Sequence, residues 1–354
     1  MVKIVHCADT HFDSPFAGLS ASAAEIRRAE QLAAFERVIK ITQESKADLL
    51  LLAGDLFENG YVSRRTAEFL RRSFEKIKDT RVFIAAGNHD FVGGNNIYKG
   101  ASLGENVTVF GGDIEEVELT DKKCRVYGCS FTEQFYSCDF DTLRAEDDSF
   151  VNIGVFHCAV PPYTDHNPIT AEQIENSGLD YLAAGHIHLH DGFHKAGKTT
   201  YAYCGIPEGR GFDETGEKGV IVGEISKDSC DLHFVPVCKR QLHRVTLDVS
   251  DCITYSEVAR KTDGFDANDL YSITLTGGLS DDAYFDTDAL TKALSERLFY
   301  VRLTDETKKR TTRELGIMEN MFLEALAEQN LSEEIYELAA EYGLEALAKG
   351  ADGK

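Results

Sequence analysis

Three histidines stand at alternate positions in "LAAGHIHLHD" (182–191), His186, His188 and His190, out of only eleven in the chain. In an extended segment, alternate side chains point to one face, so the imidazoles would converge. Neutral imidazole is the commonest nitrogen ligand for metals, which makes metal binding the chemistry to test. A solvated strand face or a chance clump would place histidines the same way. What separates the readings is whether the chain also supplies oxygen ligands. It does so in order: "ADTH" carries Asp9 and His11, "AGDLFENG" carries Asp55, "AGNHD" carries Asn88, His89 and Asp90, and "VFH" ends on His157.

Each of these groups follows an apolar run that reads as a strand. The runs are 3–8, 48–54, 81–87, 107–112, 124–130, 151–157 and 179–186, several of them apolar almost throughout, as strands buried on both faces are. Segments 23–45 and 63–78 between them have helical periodicity. Segments 199–205 and 218–225 alternate more and read as antiparallel strands. The pattern predicts a layered α/β domain over about the first 235 residues. Polar groups just past the carboxyl ends of neighbouring strands converge in such folds. Gly54, Gly87 and Gly185 directly precede them, where tight turns need a permissive backbone.

At 354 residues the chain is long for one core, so more than one domain is expected. Strands at 244–249, 271–276 and 299–304 with a helix at 286–298 predict a small α/β segment, and the chain from 308 onward reads as helical. There Leu315, Met318, Phe322 and Leu326 form one stripe, and Ser332 reads as the N-cap of a last helix. With 43% hydrophobic and 27% charged residues, the composition is that of a globular protein. No apolar run approaches the roughly 18 residues of a membrane span, so no membrane association is expected. The opening "MVKIVHCADTH" reads as a first strand and not a signal peptide. Nine scattered cysteines without C-x-x-C spacing point to the cytoplasm, with Cys7, Cys158 and Cys204 as small core residues. A net charge of -23 disfavours a generic nucleic-acid binder, so a polyanion would need a local basic track or metal ions.

The succession D-x-H, G-D, G-N-H-D, H and G-H-x-H resembles the calcineurin-like metallophosphoesterase superfamily. "IVHCADTHFDSPF" and "GDLFENG" resemble more specifically its DNA repair exonuclease branch, the SbcD and YhaO nucleases. The resemblance covers most of residues 1–235 and is only architectural beyond 240. It implies an α/β fold: a layered β-sandwich core flanked by helices, with a small α/β capping domain and a helical C-terminal tail. The corresponding domains are 1–238 (nuclease), 239–305 (cap) and 306–354 (a tail that could dock a partner). Carried over residue by residue, the pattern makes Asp9, His11, Asp55 and His188 ligands of one divalent ion. Asp55, Asn88, His157 and His186 hold the other, with Asp55 bridging and His190 left out. An oxygen and nitrogen set suits manganese first, with iron or zinc as alternatives.

Two such ions clamp a phosphate and activate water. His89, not needed as a ligand, is free to act as acid or charge stabiliser at the leaving oxygen. Phosphatase relatives orient this histidine with an aspartate three residues after the bridging one. Here that position is Glu58, one methylene longer. His6 also matches the branch and reads as packing beneath the site. The implied function is a metal-dependent DNA exonuclease, 3′ to 5′ on duplex ends, in double-strand-break repair. Its implied partners are DNA, an SMC-like ATPase and a second copy of the chain. The alternative is a phosphoesterase for nucleotides or small phosphodiesters, which the acidic charge favours. A third reading, a non-catalytic scaffold, sits badly with a complete ligand set. If DNA is the substrate, Arg64, Arg65, Arg71 and Arg72 are the candidate track, with ion pairs to Glu68 and Glu75 as the plain alternative.

Overall fold

Leu49–Leu52 is a run of four leucines, all buried, which requires a strand covered on both faces. The structure, a computed structural model, describes residues 1–354 except 59–61, 94–97, 99–102, 147–148, 162–165, 281–282, 284–285, 310–315, 330 and 352–354. In chain order come β1 (Val2–Cys7), α1 (Ala21–Glu44), β2 (Leu49–Leu52), α2 (Arg64–Glu75), β3 (Arg81–Ile84) and β4 (Val107–Val109). Then follow β5 (Glu115–Leu119), β6 (Cys124–Cys129), β7 (Val151–His157), α3 (Ala171–Asn176), β8 (Tyr181–Gly185), β9 (His194–Ala196), β10 (Thr199–Tyr203), β11 (Gly219–Ile225) and β12 (Cys230–Pro236). They form two six-stranded sheets, ordered β12-β11-β1-β2-β3-β4 and β5-β6-β7-β8-β10-β9.

Period-two alternation sorts the apolar side chains into three layers. Ile4, Leu49, Leu51 and Phe83 of the first sheet pack against Val126, Ile153, Val155 and Tyr181 of the second. Val5, Leu50, Leu52 and Ile84 face the other way, onto Phe35 and Val38 of α1 and Leu70 and Phe74 of α2. Phe156, Leu182 and Ala184 cover the outer face of the second sheet with Ile174 of α3. This is the expected layered sandwich flanked by helices. Ser20 caps α1 by accepting from Ala23 N at 3.3 Å, and Ser63 caps α2 by accepting from Thr66 N at 3.1 Å.

Some local expectations change. β10 runs parallel to β8 and antiparallel only to β9, whereas β11 is antiparallel to β1 as expected. β1, β2 and β3 stop before the small residues that end their apolar runs, so Ala85–Gly87 belong to the loop after β3. Edge strands β5 and β12 went unread, because Glu115–Leu119 is dominated by charge and Cys230–Pro236 is mostly half-exposed.

Further along lie β13 (Leu242–Asp248), α4 (Tyr255–Arg260), β14 (Leu270–Thr276), β15 (Gly278–Leu279), α5 (Thr287–Ser295), β16 (Tyr300–Asp305), β17 (Lys308–Lys309), α6 (Ile317–Ala327) and α7 (Glu333–Ala351). A three-stranded sheet is ordered β13-β14-β16. The helical reading from 308 is corrected at its start: Lys308 and Lys309 pair with Gly278 and Leu279 as strands. Of the apolar stripe, Leu315 lies outside the described residues, and Met318 is exposed. Phe322 is turned inward, because a Cβ on Gly343 of α7 would sit 2.0 Å from its ring. The chain divides into two compact units, Met1–Val245 with Phe265–Ser272 and Ser295–Arg302, and the remainder.

Candidate metal centre

Five strand ends deliver the candidate residues. Asp9 and His11 follow β1, Asp55 follows β2, and Asn88 and His89 follow β3, all parallel neighbours in the first sheet. His157 ends β7, and His186 and His188 follow β8, parallel neighbours in the second. Backbone bonds stitch the loops: Asp9 N donates to Gly54 O and His11 N to Asp55 O, both at 2.9 Å. Both Asp9 carboxylate oxygens accept from His186 N, at 3.1 and 3.0 Å, tying the sheets together.

The backbone here is strained. Asp9, His11, Asp55 and His186 have φ of 52°, 42°, 49° and 99°, a region that costs a non-glycine residue about 1–3 kcal/mol. Such strain persists only where the surroundings impose it, and it concentrates at functional sites. Of the glycines before the polar groups, Gly54 needs its freedom, with φ +94°, while Gly87 is small for another reason. A Cβ on Gly87 would lie 2.3 Å from Asp55 Oδ1.

The side-chain atoms converge in a manner that calls for positive charge. His11 Nε2 and His188 Nε2 face each other at 3.2 Å. Each ring has its other nitrogen against a carboxylate: His188 Nδ1 is 2.6 Å from Glu214 Oε1, and His11 Nδ1 is 3.0 Å from Glu58 Oε2, though poorly aligned for a hydrogen bond. Opposed lone pairs repel unless a proton or cation stands between them, and a carboxylate behind each imidazole is the usual support of a metal-bound histidine. His157 Nδ1 donates to Ala53 O at 3.0 Å. Its Nε2 lies 3.0 Å from Asn88 Oδ1 and 3.4 Å from Asp55 Oδ2. Burial opposes charge on His157, yet Asp55 raises the imidazole to about 9. Asp55 Oδ2 is also 3.6 Å from His11 Nε2, so this carboxylate stands between the two imidazole groups.

Three triads could hold an ion among the described residues: Asp9, His11 and His188; Asp9, Asp55 and His157; His11, Glu58 and His89. These residues fit divalent metals by donor chemistry and by the unpaired approach of nitrogens. His186 joins no triad among the described residues. Its ring meets that of His157 edge-on at 5.1 Å.

Glu58 reaches three partners. Its Oε1 is 2.9 Å from His89 Nδ1, and its Oε2 is 3.0 Å from His11 Nδ1 and accepts from Arg210 Nη1 at 2.8 Å. Burial alone would push the Glu58 carboxyl up, but the His11 and His89 rings beside it carry it well below the usual range. The Glu58 contact in turn raises His89. His89 N donates to Asp55 Oδ1 at 2.9 Å, fixing the loop. Arg210 also donates from Nη2 to Glu214 Oε1 at 3.2 Å. Arg210 and Glu214 were missed in the sequence. They lie in the loop after β10, well past its end at Tyr203, beyond the reach of the strand-end rule that found the histidines.

The other sequence candidates settle into place. His190 Nδ1 lies 2.7 Å from Tyr203 O, and its ring stacks on Phe234 at 4.8 Å, away from the triads. His6 is buried with Nδ1 2.9 Å from Tyr181 OH. Asp90 accepts from Leu56 N, Gly87 N and Tyr98 OH at 2.7, 2.6 and 2.6 Å, and so braces the loop. Arg71 and Arg72 both pair with Glu68, at 3.0 and 2.7 Å, and Arg71 also with Glu75 at 3.5 Å. Arg64 and Arg65 are exposed in the first turn of α2. That turn is tied toward the site by Asp13, which accepts from Ser63 N and Thr66 Oγ1 at 2.8 and 2.9 Å.

Comparison with known proteins gives a consistent picture. The family model described as calcineurin-like phosphoesterase matches residues 2–190. The chain is 28% identical over 263 residues to the Bacillus subtilis (strain 168) protein named "Uncharacterized metallophosphoesterase YhaO", covering 71% of this chain and 64% of that one. It is 24% identical over 232 residues to the "DNA double-strand break repair protein Mre11" of Methanopyrus kandleri, covering 58% and 49%. Against the protein of the same description from Aeropyrum pernix it is 21% identical over 282 residues, covering 71% and 64%. The chain thus spans 49–64% of the length of these relatives.

Proposed function

Because this chain belongs to the calcineurin-like phosphoesterase family, and is therefore a hydrolase, we propose that it is a nuclease that cleaves DNA phosphodiester bonds from an end, in double-strand-break repair. The observation that carries the chemistry is the convergence of carboxylates and imidazoles from five strand ends on one point, with the Glu58–His89 pair beside them. The DNA substrate is supported by similarity to the two Mre11 proteins.

In this reading Asp9, His11, Asp55 and His188 hold one divalent ion, and Asp55, Asn88, His157 and His186 the other, with manganese the first choice. When bound, the ions supply Lewis-acid polarisation of the phosphoryl oxygens and positive charge for the transition state. The chain's own residues do the rest. Glu58 holds His89 at Nδ1, which leaves Nε2 to deliver a proton to the departing oxygen. Arg210 grips the other oxygen of Glu58 and keeps that carboxylate from swinging away. Glu214 holds His188 at Nδ1 and so fixes the direction of Nε2.

Residues 239–305 act as a cap, and 306–354 as a docking element for an SMC-like ATPase. The docking role is supported by exposed apolar residues on the last helices: Ile317, Met318 and Met321 of α6, and Ile335, Leu338 and Tyr342 of α7. Among the described residues no helix is long and apolar enough to cross a membrane. All nine cysteines are free, which suits a cytoplasmic setting. A second reading, a phosphoesterase for small diesters, is favoured by the net charge of -23 and the pairing of Arg71 and Arg72.

The deciding assay is manganese-dependent release of nucleotides from end-labelled duplex DNA beside hydrolysis of bis-p-nitrophenyl phosphate. Turnover of the small diester without DNA cleavage would move the assignment to the second reading. Turnover of neither would end both.

A further inference from the structure

The loop between β6 and Phe140–Thr142 brings three aromatic residues, Phe131, Phe135 and Tyr136, to the side of the histidines, and of these Phe135 is spent on nothing in the core. Phe131 packs edge-on against His157 at 5.5 Å, and Tyr136 packs on Phe131 at 5.6 Å. Phe135 instead is 59% exposed, with its ring on His166 at 5.3 Å and an interplanar angle of 30°. His166 in turn lies over His186 at 5.2 Å and 36°, and His186 meets His157 at 5.1 Å. A single exposed phenylalanine is ordinary. This one is the outer member of a run of rings whose inner members are two of the candidate ligands. Among the described residues, the other exposed aromatic residue near the histidines, Phe193, packs on His190, whose ring is already stacked on Phe234.

We propose that Phe135 and His166 form a stacking platform for a nucleobase next to the scissile phosphate, so that the site selects nucleoside phosphodiesters. This rests on the phosphodiesterase reading and narrows it. A flat, exposed π-face suits any base, since all four present one, and so it binds without reading sequence. It also answers a difficulty of charge. At -23 the chain offers a phosphate backbone little long-range attraction, and Arg71 and Arg72 are engaged with Glu68. Stacking needs no net charge. It would supply affinity and hold the substrate in one register over the metals.

Two measurements test this. The first compares thymidine 5′-(p-nitrophenyl phosphate) with methyl p-nitrophenyl phosphate, which share a leaving group and differ by the nucleoside. In Phe135→Ala the ratio of their kcat/KM values should fall about ten- to a hundredfold, the scale of one lost base stack. Phe135→Leu should lose it similarly, because bulk remains and the π-face does not, while Phe135→Tyr should keep most of it. An unchanged ratio in Phe135→Ala, or full selectivity in Phe135→Leu, overturns the platform. The second uses the absence of tryptophan from the chain. Phe135→Trp carries the only indole, whose fluorescence a stacked base should quench on titration with thymidine 5′-monophosphate but not with inorganic phosphate. Absence of quenching overturns the platform whatever the kinetics. If the unmodified protein hydrolyses neither ester, the phosphodiesterase reading fails, and the quenching result alone still decides whether the platform exists.

Discussion

Replacing Glu58 with glutamine separates the support of His89 from the binding of metal. The side chain keeps its length and one acceptor oxygen but loses its charge and gains an amide donor. Glu58 now serves His89 Nδ1 at 2.9 Å, His11 Nδ1 at 3.0 Å and Arg210 Nη1 at 2.8 Å. An amide cannot accept on both sides, so either His89 or Arg210 loses its partner. A hydrogen bond to a charged group contributes about 1.5–3 kcal/mol and a neutral one about 0.5–1.5. The exchange therefore removes roughly 1–1.5 kcal/mol from the His89 contact, which is about tenfold in rate. The loss should depend on the leaving group. A nucleoside alkoxide needs a proton as it departs, and p-nitrophenolate does not. Glu58→Gln should therefore slow DNA cleavage about tenfold while slowing bis-p-nitrophenyl phosphate much less, with metal content retained by elemental analysis. Wild-type rates on DNA would refute the pairing of Glu58 with His89. An equal loss on both substrates together with lost metal would show Glu58 to be a ligand, as the His11, Glu58 and His89 triad permits.

Asp55→Asn should abolish turnover and reduce bound metal, because it removes the carboxylate standing 3.4 Å from His157 Nε2 and 3.6 Å from His11 Nε2; normal diesterase activity would break the assignment. His89→Ala should keep its metal yet slow DNA cleavage by about 10²–10⁴-fold, and metal loss there would instead make His89 a ligand. Arg64→Glu with Arg65→Glu should raise KM for duplex DNA and flatten its salt dependence, since each phosphate contact releases counterions. No change in KM would take the start of α2 out of the DNA path.

The fold was legible wherever burial dictates composition. The strand 151–157 was read with its true limits, and β1, β2 and β3 were found because burial on both faces leaves them almost wholly apolar. β5 was not, because an edge strand such as Glu115–Leu119 carries charge on its exposed positions. The site was legible for a related reason. Side chains at the ends of parallel strands converge, and the candidates Asp9, His11, Asp55, Asn88, His89, His157, His186 and His188 all end or follow apolar runs. Glu214 and Arg210 sit in a glycine-rich loop whose charges look like ordinary solvated ones, and only three-dimensional pairing shows that they brace His188 and Glu58. Phe135 was invisible for the opposite reason. Nothing in one sequence tells an exposed ring beside His166 from a buried one.

The strain at the site has a thermodynamic consequence. Four residues in left-handed backbone, Asp9, His11, Asp55 and His186, cost the fold about 1–3 kcal/mol each. Burial pushes the Asp9 carboxyl up to about 6 against the pull of His188 and His157, and the charge of Asp55 adds to the rise. Divalent ions held by these side chains would relieve that crowding, and they would bind the folded chain, which assembles the site, in preference to the unfolded one. A ligand at a hundred times its Kd stabilises by about 2.7 kcal/mol, and each kcal/mol is worth roughly 2–4 °C in a unit of this size. Returning manganese to metal-stripped protein should therefore raise the melting temperature by roughly 5–10 °C in differential scanning calorimetry. In Asp55→Asn most of that response should vanish, because the carboxylate between the two imidazole groups is gone. A stripped protein that melts at the same temperature with and without manganese would show that these converging side chains do not form a metal centre.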